Sequence, residues 1–151
     1  MSRKHILHDS VLIYLFIGTA VSVTLILLGM DIESDSPLLT IDNSRNSLAA
    51  FAILYVYGLI FGSPISILAA LFNYSLSDFS FKKGWHNNFF HSKRTTVIYG
   101  VLNGFTIATP FYLIFIIGAQ QFVFGMPAIV FLYAPCIVSS VVFCFYRRKN
   151  T

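Results

Sequence analysis

The chain is predicted to be all-α: a polytopic membrane protein built as a four-transmembrane-helix bundle, with both termini in the cytoplasm. Three observations carry this expectation. Of its 151 residues 56% are hydrophobic and only 11% charged, at a mean hydropathy of +0.75, beyond the apolar share of an ordinary soluble domain. The charges leave uncharged stretches each about as long as the roughly 20 residues a helix needs to cross a bilayer. Lys and Arg crowd into alternate connections between those stretches, the pattern of cytoplasmic loops.

The first predicted span covers residues 11–30, uncharged throughout. Arg3 and Lys4 ahead of it also fit the start of a secretory signal. The apolar region is too long for a signal core, however, and Asp31, Glu33 and Asp35 stand where a small-residue cleavage site would be, so an uncleaved signal anchor is expected. Residues 47–72 form the second span, long enough to tilt. Residues 96–120 form the third and 126–146 the fourth. No low-complexity tract and no loop long enough for a soluble domain interrupts them, and a single integral membrane domain over 1–151 follows.

Orientation rests on Lys and Arg near the spans. Arg3 and Lys4 precede span one, Lys82, Lys83, Lys93 and Arg94 follow span two, and Arg147, Arg148 and Lys149 follow span four; Arg45 alone falls on the other side, among Asp31, Glu33, Asp35 and Asp42. Tyr74, Tyr99 and Tyr146 are expected at cytoplasmic span ends, where amphipathic rings sit at headgroup level. A bacterial cell inner membrane, crossed several times, suits this pattern.

Two GxxxG motifs stand out: Gly58 to Gly62 in span two, and Gly100 to Gly104 around Asn103 in span three. Small residues let helix backbones approach closely, which is what associates helices in lipid. Packing of spans two and three on each other is the expected use, and docking of a helix from another protein the sharper one. Pro64, Pro110 and Pro135 each remove a backbone donor and free a carbonyl one turn earlier, at Ile60, Thr106 and Phe131. Ser63, Ser66, Thr106, Thr109, Ser139 and Ser140 are at hand to bond them. Kinks are expected there.

By these boundaries no Asp, Glu, Lys, Arg or His lies within the bilayer, and Asn103 is the strongest polar group at depth. Ion pumps, proton-coupled carriers and voltage sensors need intramembrane ionisable groups, so such functions are disfavoured. An intramembrane serine nucleophile would need a histidine beside it, and Ser63 has none in any span. The HExxH motif is missing, and His86 and His91 are not spaced to share a helix face. Cys136 and Cys144 share one span, too far apart to pair, and read as packing residues. No enzyme activity, metal or cofactor is expected.

The connection over residues 73–95 interleaves Phe79, Phe81, Trp85, Phe89 and Phe90 with Lys82, Lys83, Lys93 and Arg94. Aromatics enter the membrane interface while cations meet anionic lipid, so membrane lipid is the expected partner and nucleic acid is not. Asn73-Tyr74-Ser75 matches a glycosylation sequon, unusable on the cytoplasmic side.

With its small size, its span number and its basic cytoplasmic loops, including the stretch from Phe72 to Lys83, the chain resembles the immunity proteins of pore-forming bacteriocins of the colicin type. The resemblance is one of architecture over the whole chain. It implies an inner-membrane protein that protects its host by blocking the toxin's pore domain through intramembrane helix contacts. It also implies a docking face at Gly58, Gly62, Gly100, Gly104 and Asn103, with Lys82, Lys83, Trp85, Lys93 and Arg94 as a second contact with headgroups or partner. The alternatives are a phage superinfection-exclusion or plasmid-exclusion protein, a small accessory subunit of a membrane complex, and a small carrier.

Overall fold

The structure, a computed structural model, describes residues 3–33, 44–85, 90–119 and 126–149. Among them no strand occurs. Helix α1 (Arg3–Ile13), a π-helical turn (Tyr14–Gly18) and α2 (Thr19–Glu33) follow one another without a break. α3 runs over Ser44–Lys82, α4 over Lys93–Ala119 and α5 over Met126–Lys149. Three stretches are long and apolar enough to cross a membrane: His5–Leu28, Leu48–Ser80 and Lys93–Ile114.

The buried residues of the first rod explain its π turn. Ser10, Tyr14 and Gly18 are buried at one α-helical interval, and Thr19, Val23 and Leu27 are buried at another, one residue out of step with the first. A spacing of five separates Tyr14 from Thr19, where a plain α-helix would repeat a face at three or four. The wider π turn absorbs the extra residue and keeps both sets on one face. The Phe16 carbonyl within it accepts a hydrogen bond from the Tyr55 hydroxyl at 3.2 Å.

Side-chain contacts fix the directions of the four rods. Ser10 meets Asn73 while Thr19 meets Gly58, so the first rod and α3 run oppositely. Asn73 meets Asn103 and Ser80 meets Tyr99, which reverses α4 against α3. Gly100 faces Val141 and Gly104 faces Ile137, reversing α5 against α4. This alternation gathers Lys82, Lys83, Lys93, Arg94, Arg147, Arg148 and Lys149 at one end of the bundle.

α3 corrects the expectation of a connection that begins at residue 73. The helix does not stop at 72 but continues ten residues, to Lys82. Polar residues lower the hydropathy there, yet Asn73, Ser77 and Ser80 recur at helical spacing and are buried. Its true end is a glycine stop. Gly84 has φ +72°, the Trp85 amide donates to the Ser80 carbonyl at 3.1 Å, and the Trp85 ring packs edge-on against Phe79. These are the parts of a Schellman motif with its hydrophobic contact. α4 then starts at a cap in which the Ser92 hydroxyl accepts the Thr95 amide at 3.2 Å. Residues 86–89, with His86 and Phe89, lie outside the described residues, as does the connection 120–125.

The three helices continue through Pro64, Pro110 and Pro135. At Pro64 the carbonyl left free, that of Ile60, accepts the Ser63 hydroxyl at 3.0 Å, as expected. The apolar core is small and lies midway along the rods, where Tyr14, Ala69, Ala70 and Ile107 are buried together.

Candidate functional site

The four motif glycines do three different things. A Cβ on Gly100 would stand 2.7 Å from the Cα of Val141, and one on Gly104 would stand 2.5 Å from the Cα of Ile137. This motif therefore packs α4 against α5, and not span two against span three as the sequence led us to expect. A GxxxG face specifies closeness without specifying a neighbour. Gly58 packs on the first rod, its Cβ position lying 2.7 Å from the Thr19 methyl. Gly62 meets nothing within 4 Å.

Asn103 sits between Gly100 and Gly104 and is also turned inward. Its amide nitrogen donates to the Asn73 side-chain oxygen and, at 3.2 Å, to the Ser140 hydroxyl. Asn73 in turn donates to the Ser10 hydroxyl at 3.3 Å, and Ser10 to the Ala70 carbonyl at 3.2 Å. One residue from each of the four rods thus joins a single buried polar cluster. Away from water such groups need partners, and here they supply one another. Asn103 had been singled out from sequence as a polar group at depth; Asn73 was read only as part of a sequon, Ser140 only as a partner for a proline-freed carbonyl, and Ser10 not at all. The readable signal for Asn73 was its helical spacing with Ser77 and Ser80.

The second polar layer lies nearer the basic end. Arg147 is only 9% exposed and donates to the Ser77 hydroxyl, while Ser80 and Tyr99 share a hydrogen bond of 2.7 Å. Burial lowers the Arg147 pKa, with Tyr99 and Asp78 opposing that shift. Tyr146 donates to Asp9 at 2.8 Å and the Arg148 Nε to the Phe90 carbonyl at 3.1 Å. Tyr99, expected at a cytoplasmic span end, is turned into the bundle, where its hydroxyl meets that of Ser80. Asp9 and Asp78 lie outside the expected spans 11–30 and 47–72 but on the same long helices, held by Tyr146 and by Lys82 at 3.0 Å.

The predicted headgroup residues stay on the outside of this end. Lys82, Lys83, Trp85, Lys93 and Arg94 are all exposed. The Lys83 ammonium stands 4.8 Å from the centre of the Phe79 ring and 5.5 Å from that of Trp85, so cation and aromatics form one unit.

At the opposite half the bundle opens. A cleft of about 440 Å³ separates the first rod from α3, with Val23 and Ile26 on one wall, Gly62 and Ile65 on the other, and Pro135 and Cys136 at its back. Along this half α3 turns its large side chains outward: Ile53, Tyr57, Ile60 and Phe61 are all more than half exposed, Phe61 at 73%.

No family model, curated protein or solved structure matches this chain.

The functional reading therefore rests on what the arrangement can do chemically. Among the described residues no three His, Cys, Asp or Glu side chains gather where they could hold a metal ion. The buried polar groups are the Arg147 guanidinium and a set of amides and hydroxyls, most of which bond one another across helices, while the Tyr14, Tyr112 and Ser139 hydroxyls are buried without a hydrogen-bond partner among the described residues; such an arrangement is suited to fixing a bundle. Among the described residues two surfaces are open to an outside molecule: the basic and aromatic end, and the apolar face of α3 beside the cleft.

Proposed function

We propose that the protein crosses the bacterial inner membrane four times with both termini inside, and that it acts as an immunity protein against a pore-forming bacteriocin. On this reading a helix of the toxin's pore domain docks within the bilayer on α3 at the mouth of the cleft. The observation that supports the docking face is Gly62. Of the four motif glycines it alone has open space at its Cβ position, in the wall of the cleft beside the exposed Phe61 and Ile65. Backbone is therefore approachable there, the condition for close helix association in lipid. Gly100 and Gly104 are already occupied by α5, which narrows the proposed face to α3. The gathering of basic residues at one end supports the inside orientation of that end and a contact with anionic headgroups.

The test is survival of a sensitive bacterium expressing the chain and challenged with a panel of pore-forming toxins, phages and conjugating donors. Protection against one pore-forming toxin, abolished by Gly62→Leu in a protein still inserted at the wild-type level, is the expected result. Protection against a phage or a conjugating donor alone would replace immunity with exclusion. No protection from an inserted protein would refute both.

A further inference from the structure

We propose that the outer half of α3, residues 48–62, is an arm hinged at Gly62-Ser63-Pro64 that swings to open the cleft. This deepens the docking reading by naming the part of the face that moves.

The two halves of α3 are held very differently. Beyond Pro64 the helix is fixed in the bundle: Ala69, Ala70, Asn73, Ser77 and Ser80 are all buried, and the last three are bonded to Ser10, Asn103, Arg147 and Tyr99. Before Pro64 the ties are of another order. Gly58 touches Thr19 and Val23, and the Tyr55 hydroxyl reaches the Phe16 carbonyl. No residue from 48 to 62 is buried.

The junction is weak as a helix. Pro64 has no amide to give, so the bond that would close the turn onto Ile60 is missing, and a serine hydroxyl replaces it. Two residues away Gly62 has no side chain to lock the backbone and no neighbour within 4 Å. Pro and Gly/Ser pairs are where sharp helix kinks occur, and all three residue types meet in this tripeptide. The cleft flanks the hinge on the side of the first rod, and because Gly58 already rests on Thr19 the arm moves by lifting that contact and opening the cleft.

The amplitude follows from geometry. From Gly62 to Ile53 the helix rises about 13 Å at 1.5 Å per residue, so a change in kink of about 20° displaces Ile53 by about 5 Å.

The experiment is a spin-label distance measurement on the full chain in vesicles of phosphatidylethanolamine and phosphatidylglycerol, with Cys136 and Cys144 changed to Ser. One pair, Ile53→Cys with Leu113→Cys, reports the arm. The other, Leu71→Cys with Ile98→Cys, reports the fixed half; all four sites are exposed. The expected result is a broad or two-component distribution for the arm pair, spread over about 5 Å, beside a narrow one for the reference pair. Pro64→Ala, which restores the missing amide, should collapse the arm distribution to one component. Ser66→Phe, which fills the cleft, should remove its closed component. An arm pair as narrow as the reference pair overturns the proposal, and so does a distribution that neither substitution changes. No toxin enters this assay, so its failure is distinguishable from failure of the immunity reading.

Discussion

Asn103 and Asn73, thirty residues apart in sequence, join side chain to side chain at the centre of the bundle, the amide of one donating to the oxygen of the other. The same Asn103 nitrogen holds Ser140, so this residue ties α4 to both α3 and α5. Replacing it by Ala should lower stability by about 1–2 kcal/mol, the upper range for interhelical hydrogen bonds in membranes. Because Asn73 then loses its donor, Asn73→Ala in the Asn103→Ala background should cost less than alone. Unfolding in mixed micelles, read by circular dichroism, measures all three; strictly additive losses would mean that the two amides do not act together.

Gly104→Leu and Gly62→Leu should behave oppositely although each adds the same side chain. At Gly104 the new Cβ meets backbone of α5 at 2.5 Å, so the helices must part. Overpacking of this kind costs about 1–3 kcal/mol even where side chains can yield, and a marked loss of inserted protein is expected. At Gly62 the space is open and Leu is the better helix former by up to about 1 kcal/mol. That variant should insert at wild-type levels or above, as a membrane-fraction immunoblot would register.

Much of the architecture was legible from hydropathy, because a helix that crosses a bilayer must be continuous and apolar. The apolar runs at 11–30, 47–72 and 126–146, and the third as far as residue 119, fall in helices. What stayed hidden depends on neighbours. Asn73 and Ser77 lower the hydropathy and so looked like loop, since nothing local says that Ser10, Asn103 and Arg147 wait to bond them. The stop at Lys83-Gly84 was readable as a basic turn followed by a C-terminal glycine, but was passed over for the nearer drop in hydropathy. Gly100 and Gly104 announced a close contact and withheld its address. Arg147, placed among tail charges by its position, turns inward because the last turn of α5 faces α3.

Arg147 and Ser77 offer a second coupled pair. A hydrogen bond to a charged group contributes about 1.5–3 kcal/mol, and Arg147 is buried enough for that range to apply. Ser77→Ala should therefore destabilise the protein within that range, while adding Ser77→Ala to Arg147→Ala should cost much less. Chemical denaturation of the four proteins in one detergent closes the cycle, and a coupling near zero would show that Ser77 is not a significant acceptor.

Gly84→Ala forces a Cβ into the left-handed region at φ +72°. The penalty is about 1–2 kcal/mol, and it falls on the last turn of α3 alone. Trp85 is the chain's single tryptophan and packs on Phe79 and Lys83 through that turn. Its fluorescence emission should shift in the variant while overall helicity is kept; an unchanged spectrum would mean that the turn does not hold the ring.

The π turn at Tyr14–Gly18 makes the length of the first rod adjustable. Ser10 and Tyr14 keep their interval on one side of it, and Thr19, Val23 and Leu27 keep theirs on the other. Deleting a single residue within the turn would turn it into plain α-helix and leave both sets in phase. The same deletion elsewhere in the rod would rotate everything beyond it by about 100° and point Thr19 away from Gly58. The rod thus carries one position where the chain can lose a residue and still close on its neighbours.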